Sequence, residues 1–203
     1  MLEDYKGWGK YTLSFFSFIL IFGVDKILVE ANFGFESLAV YSSAFTLFAF
    51  GQIGVAALWS FYMPKVSRED ILLNKTWFYL FSGLGLLVMC GYLLFADTIY
   101  SVIYPSEFAD GVTILTILAV YFLFRYSNIY FELKYVLSER YERFTIYRLV
   151  SATLFVVSTL LMASSIGIAG VAILVVISEL LLLLLVTLDM MLFCSDLEES
   201  TRV

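Results

Sequence analysis

Apolar runs of bilayer-spanning length recur six times in this chain, and no other feature constrains its fold as strongly. They are Tyr11–Val29, Leu38–Tyr62, Trp77–Ala96, Val112–Lys134, Thr145–Ser165 and Ile168–Leu192. A helix needs about 17–25 predominantly apolar residues to cross the hydrocarbon core. Helix breakers separate the runs: Asn32–Gly34, Pro64 followed by KVSRED, Pro105, the charged SERYER run from Ser138 to Arg143, and Ser164–Gly170. Of the 203 residues, 62% are hydrophobic, against about 45–50% in a soluble domain. The chain therefore reads as an all-α integral membrane protein, one domain over residues 1–203 with six transmembrane helices.

The first run tests that reading. From Tyr11 to Val24 it carries no charge, and then Asp25 and Lys26 interrupt it. Lys6 and Lys10 ahead of an apolar stretch resemble a signal peptide, but no clean small-x-small cleavage site follows, so an uncleaved first helix is expected. With six crossings, ten of the twelve Lys and Arg fall on one side: Lys6, Lys10, Lys65, Arg68, Lys75, Lys134, Arg140, Arg143, Arg148 and Arg202. Lys26 falls toward the other side and Arg125 within a span. If the first run did not cross, the bias would be lost. The positive-inside rule then predicts cytoplasmic N- and C-termini in a multi-pass protein of the plasma or inner membrane.

Ionisable groups at membrane depth cost about 2.5–3.5 kcal/mol each on insertion scales and usually face a bundle interior or cavity. Asp25, Lys26, Arg125 and Glu179 stand out. Lys26 can pair with Glu30 four residues on, or snorkel to the nearer surface. Asp25 has no cation one turn away on its own helix and needs a partner on another helix, or water. In "YFLFRYSNIYFELK", Tyr121, Arg125, Asn128 and Glu132 fall at i, i+4, i+7 and i+11, a polar stripe on an aromatic-rich helix. Such a stripe either knits helices together, with Arg125 reaching for Glu132 or the surface, or lines a wet cavity where a guanidinium receives a phosphate. Gln52, midway along the second run, suits an interhelical hydrogen bond or a ligand contact. Counted at about 1.5 Å per residue from the cytoplasmic end, Asp25, Arg125 and Glu179 lie at depths from which they could meet.

Other chemistries are disfavoured. There is no histidine, no clustered acidic motif for Mg²⁺ and no Ser/Cys–His pair, so neither a metal site nor an enzyme acting on lipids is expected, and no cofactor is implied. Two cysteines, Cys90 and Cys194, make no disulfide framework.

Several stretches resemble one family. "GVDKILVEANFGFESLAVYSSAFTL" is similar to the start of the C-terminal half of polysaccharide (O-antigen type) flippases, in the superfamily of multidrug, oligosaccharidyl-lipid and polysaccharide exporters. The matching positions are Asp25, Lys26, Gly34, Tyr41, Ser42, Ser43 and Ala44. Pro64-Lys65-Val66-Ser67 resembles the family's Pro-x-hydrophobic-Ser. "VIYPSEFADGVTILTILAV" is similar to a short amphipathic element leading into a helix, with Tyr104-Pro105 where a glycine is common. "IGIAGVAILVVISELLLLL" carries a mid-helix Ser178-Glu179. The resemblance implies one six-helix lobe of a two-lobed transporter. It implies alternating-access export of a polyprenyl-pyrophosphate-linked oligosaccharide or polysaccharide precursor for the cell envelope. Arg125, with Tyr121, Asn128 and Gln52, would meet the cargo; Asp25, Lys26 and Glu179 would be counter-charges or coupling groups. Partners would be the lipid-linked glycan, membrane lipid and either a second copy or a separate N-terminal lobe, not nucleic acid. A multidrug or small-molecule antiporter lobe, or a non-transporting membrane subunit or remnant, are the alternatives.

Overall fold

The computed structural model describes residues 2–68 and 73–200, with side chains described at 12, 13, 16, 17, 19–66, 68 and 73–192. The side chains of Lys6, Lys10, Tyr11 and Arg202 lie outside that set. Among the described residues the chain is helical, with no strand. It forms α1 (Leu2–Ser67), α2 (Lys75–Ile103), a 3-10 turn (Ser106–Phe108), α3 (Gly111–Leu137) and α4 (Tyr141–Ser200). All four α-helices are long and apolar enough to cross a membrane.

Two of them are not straight rods. Gly34 (φ 81°, ψ 179°) and Gly167 (φ 69°, ψ −179°) leave helical geometry inside α1 and α4, in a backbone region essentially reserved for glycine. Contacts across each glycine show the chain doubling back. Asp25 and Tyr41, 16 positions apart, would be separated by about 24 Å along a straight helix, yet the Tyr41 hydroxyl donates to Asp25 Oδ2 at 2.9 Å. Arg143 and Asp189, 46 positions apart, meet at 3.2 Å. Each long helix is therefore a hairpin with two arms. The sequence expectation of breaks at Asn32–Gly34 and Ser164–Gly170 collapses to a single residue in each case, because one glycine in this conformation suffices to reverse the chain.

Local chemistry explains the other boundaries. Asn74 starts α2 by accepting from the Thr76 backbone N–H at 3.0 Å, which relieves an orphan donor. The helix therefore begins before Trp77 and runs on past Ala96 to Ile103. Between α3 and α4 the Glu139 and Arg140 N–H groups donate to the Val136 and Tyr135 carbonyls, a Schellman closure with Glu139 held at φ 55°. Pro64 lies within the final turn of α1, which continues to Ser67.

The most enclosed element is α3, with 61% of its apolar window buried against 11% for α2. Close approach to α3 is made by glycine. A Cβ at Gly85 would stand 2.7 Å from the Phe122 carbonyl oxygen, and one at Gly51 would overlap the Phe122 ring. An aromatic cluster of Phe22, Phe45, Phe48, Tyr121 and Phe122 fills the junction of α1 and α3. On the opposite face α2 exposes Leu80, Leu87, Leu94 and Val102 at seven- to eight-residue spacing, Val102 to 80%. A contiguous apolar stripe of that kind suits lipid rather than water.

Candidate functional site

The polar stripe predicted on the fourth run lies on α3, and Tyr121, Arg125, Asn128 and Glu132 are all buried. Their i, i+4, i+7, i+11 spacing brings them to one helix face, against both arms of α4. Arg125 Nη1 lies 3.3 Å from Glu132 Oε2 and 3.8 Å from Glu179 Oε1. Arg148, on the first arm of α4, approaches the same Glu132 carboxylate at 3.3 Å. Tyr141 completes that carboxylate's shell, donating its hydroxyl at 3.2 Å. Asn128 Nδ2 donates to Glu179 Oε1 at 2.9 Å and to the Glu179 carbonyl at 3.2 Å.

The result is a charge-neutral tetrad of two guanidiniums and two carboxylates. Opposite unit charges about 4 Å apart attract by about 4 kcal/mol at an effective dielectric near 20. Each buried ion also costs several kcal/mol to desolvate. The intact tetrad thus lies near break-even, while deleting one member strands the others. The two carboxylates are held unequally. Glu132 receives two guanidiniums and a phenol; Glu179 receives one guanidinium at longer range and an amide.

Two buried polar atoms of the expected site residues, Arg125 Nε and Asn128 Oδ1, lack a hydrogen-bond partner among the described residues, while the Gln52 side chain is directed at the Tyr121 hydroxyl. Arg125 Nε is a donor and Asn128 Oδ1 an acceptor, about one turn apart on the same face. Gln52 stands on the second arm of α1, one turn beyond Phe48, whose ring packs on Tyr121 at 5.3 Å. Buried polar atoms of this kind are normally met by ordered water or a ligand group.

Asp25 and Lys26 form a separate site. Asp25 is fully buried, with Oδ2 bound by Tyr41 and Oδ1 accepting from the Lys26 backbone N–H at 2.7 Å. The Lys26 ammonium donates to the Phe22 carbonyl at 3.3 Å and sits 3.8 Å from the Phe45 ring centre, a cation–π contact. The structure thus joins Arg125 with Glu179, Asn128 and Glu132, and gives Asp25 a phenol partner instead.

Sequence reasoning missed Arg148 and Tyr141 as site residues, and named Tyr41 only in the family resemblance, not as the partner of Asp25. In the sequence Arg148 reads as one of the cytoplasmic basic residues. Its signal was positional: Glu132 and Arg148 both lie roughly two helical turns from Glu139, so an antiparallel α3–α4 turn brings them level. A further cluster closes the same end, where Tyr135 donates to Asp189 Oδ2 at 2.5 Å and Arg143 pairs with Asp189 Oδ1.

Comparisons with family models, with curated proteins and with solved structures each gave no match.

Proposed function

We propose that this chain is a six-span membrane lobe that exports or flips a lipid-linked glycan precursor by alternating access. The observation that carries this reading is the buried tetrad of Arg125, Arg148, Glu132 and Glu179 inside an otherwise apolar helical body. Ionisable groups at membrane depth mark substrate or ion pathways, and here the unpartnered Arg125 Nε and Asn128 Oδ1 stand among them. The hairpins support six crossings. The apolar helix windows within α1 and α4 are 48 and 52 residues long, about 72 and 78 Å if straight, more than twice a hydrocarbon core of about 30 Å. Folded at Gly34 and Gly167, each supplies two spans. The basic side then carries both termini and faces the cytoplasm.

Transporters built from repeats place their sites near the midplane between halves, so a second copy or an N-terminal lobe would complete the cavity. With Arg125 Nη1 held by two carboxylates, its unpaired Nε is a donor available to meet a pyrophosphate oxygen. Asp25 and Glu179 are the coupling groups, Glu179 being the less tightly held carboxylate of the tetrad.

The test is a leaflet-resolved flipping assay in liposomes, using a short-chain polyprenyl-pyrophosphate-linked saccharide, with and without a candidate N-terminal lobe. Protein-dependent movement that Arg125→Ala abolishes supports the reading. No movement under either condition, with folded protein confirmed in the vesicles, sinks it.

A further inference from the structure

A cleft of about 480 Å³ opens where α2 ends, at the 3-10 turn and the start of α3. It lies at the opposite end of α3 from the Glu132–Arg148 contact. Its lining mixes two kinds of surface. Asp97, Thr98, Ser101 and Ser106 present a carboxylate and three hydroxyls, all on exposed residues, and Tyr104 and Pro105 supply flat apolar walls.

The aromatic wall is braced from behind. Tyr104 packs on Tyr100 at 5.0 Å between ring centres and on Phe108 at 5.7 Å. Tyr100 is only 2% exposed. Its hydroxyl is hydrogen-bonded to Ser43 on the second arm of α1, and it lies so close over Gly111 that a Cβ there would overlap it. Tyr104 therefore stands on a fixed stack. The segments that form the cleft carry charge of one sign. No Lys or Arg occurs between Thr76 and Phe124, while Asp97, Glu107 and Asp110 are all in or beside the cleft.

We propose that this cleft is a saccharide-binding site for neutral or amino-bearing sugars. The C–H face of a pyranose is apolar and lies flat on an aromatic ring. Its equatorial hydroxyls both donate and accept, matching a carboxylate and three hydroxyls grouped beside the ring. The carboxylates disfavour uronic or phosphorylated sugars, so the site is chemically distinct from one that receives a pyrophosphate. The proposal deepens the flippase reading by naming where the glycan would be held at the end away from the basic residues. It is tested without any transport step.

The full chain is purified in a detergent that carries no sugar. Saturation-transfer NMR is run with chitotriose, glucosamine and glucuronic acid as probes. In parallel, native mass spectrometry compares retention of a glucosylated lipid with that of phosphatidylcholine. The expected result is binding of chitotriose or glucosamine, preferential retention of the glucosylated lipid, or both, and no glucuronic acid signal. Tyr104→Ala and Asp97→Asn should each weaken binding at least tenfold. Ser106→Trp, which puts bulk on an exposed lining residue outside the aromatic stack, should abolish it in a chain of unchanged circular dichroism. A signal with soluble sugar identifies a free glycan as ligand, and a signal confined to the lipid arm identifies a membrane-borne one. No saccharide signal in either arm, or one that Ser106→Trp leaves unchanged, overturns the proposal. A chain that binds sugar yet moves no lipid-linked glycan keeps the cleft and loses the flippase reading.

Discussion

Replacing Glu132 with Gln keeps the side-chain shape and removes one charge from the buried tetrad. In the native structure Glu132 holds Arg125 and Arg148, each at 3.3 Å, and accepts the Tyr141 hydroxyl at 3.2 Å. Each guanidinium contact is worth about 5 kcal/mol of gross attraction at an effective dielectric near 20. The desolvation that Glu132 no longer suffers offsets several kcal/mol of that. What is left is a buried core of net charge +1, with Arg125 supported by Glu179 at 3.8 Å. Breaking one side of a buried pair costs about 3–5 kcal/mol, and that is the loss expected for Glu132→Gln. It is measured by reversible SDS unfolding in mixed micelles, followed by the helical signal. Adding Arg148→Met restores neutrality, so the double variant should lose less than the two single losses summed, by about 1–3 kcal/mol. A loss below about 1 kcal/mol for Glu132→Gln, or strict additivity in the double variant, would refute the argument that these four groups act as one network.

Other substitutions probe single links in the same assay. Gly34→Ala, with open space around the Cβ position but φ 81°, should cost about 1–3 kcal/mol; Gly83→Ala, equally open and helical, should gain about 0.5–1 kcal/mol. Equal effects at both positions would remove the case for a strained turn. Glu139→Gly relieves a left-handed residue at φ 55° and should stabilise by about 1 kcal/mol, an expectation that any loss contradicts. Tyr41→Phe strips the phenol from buried Asp25 and should cost about 1–3 kcal/mol; a change within about 0.5 kcal/mol would show that this bond carries nothing. Exchanging Arg125 and Glu179 should restore little, because the introduced carboxylate then faces Glu132. Adding Glu132→Gln to the exchange should recover part of the loss, and full rescue by the exchange alone would contradict the geometry.

The apolar segments and the polar stripe were legible because both rest on periodicity. Apolar length marks helices that can cross a bilayer, and the i, i+4, i+7 spacing put Tyr121, Arg125 and Asn128 on one face. Depth counting suggested that Arg125 and Glu179 could meet, but it could not supply neighbours, which depend on where the chain reverses. Asp25 shows that limit clearly. A search for its partner among cations finds only Lys26, whereas the partner is a neutral phenol that becomes adjacent only once Gly34 folds the chain back. Arg148 was hidden by its place in a charge count, where a basic residue near a helix end reads as surface. The cleft beside Tyr104 had no sequence signal beyond Pro105 and a few hydroxyls, since its walls come from two helices and the turn between them.

Whether Gly34 and Gly167 are outward turns of two membrane-crossing hairpins is read most directly by impermeant maleimide labelling in intact spheroplasts. The background is a chain with Cys90 and Cys194 changed to Ser, carrying single cysteines at Asn32, Ser106, Ser165 or Glu139. Six crossings predict labelling from outside at Asn32, Ser106 and Ser165, and labelling at Glu139 only after the membrane is permeabilised. External labelling at Glu139, or protection of both Asn32 and Ser165 until permeabilisation, would contradict the six-span lobe and the membrane depth assigned to its tetrad.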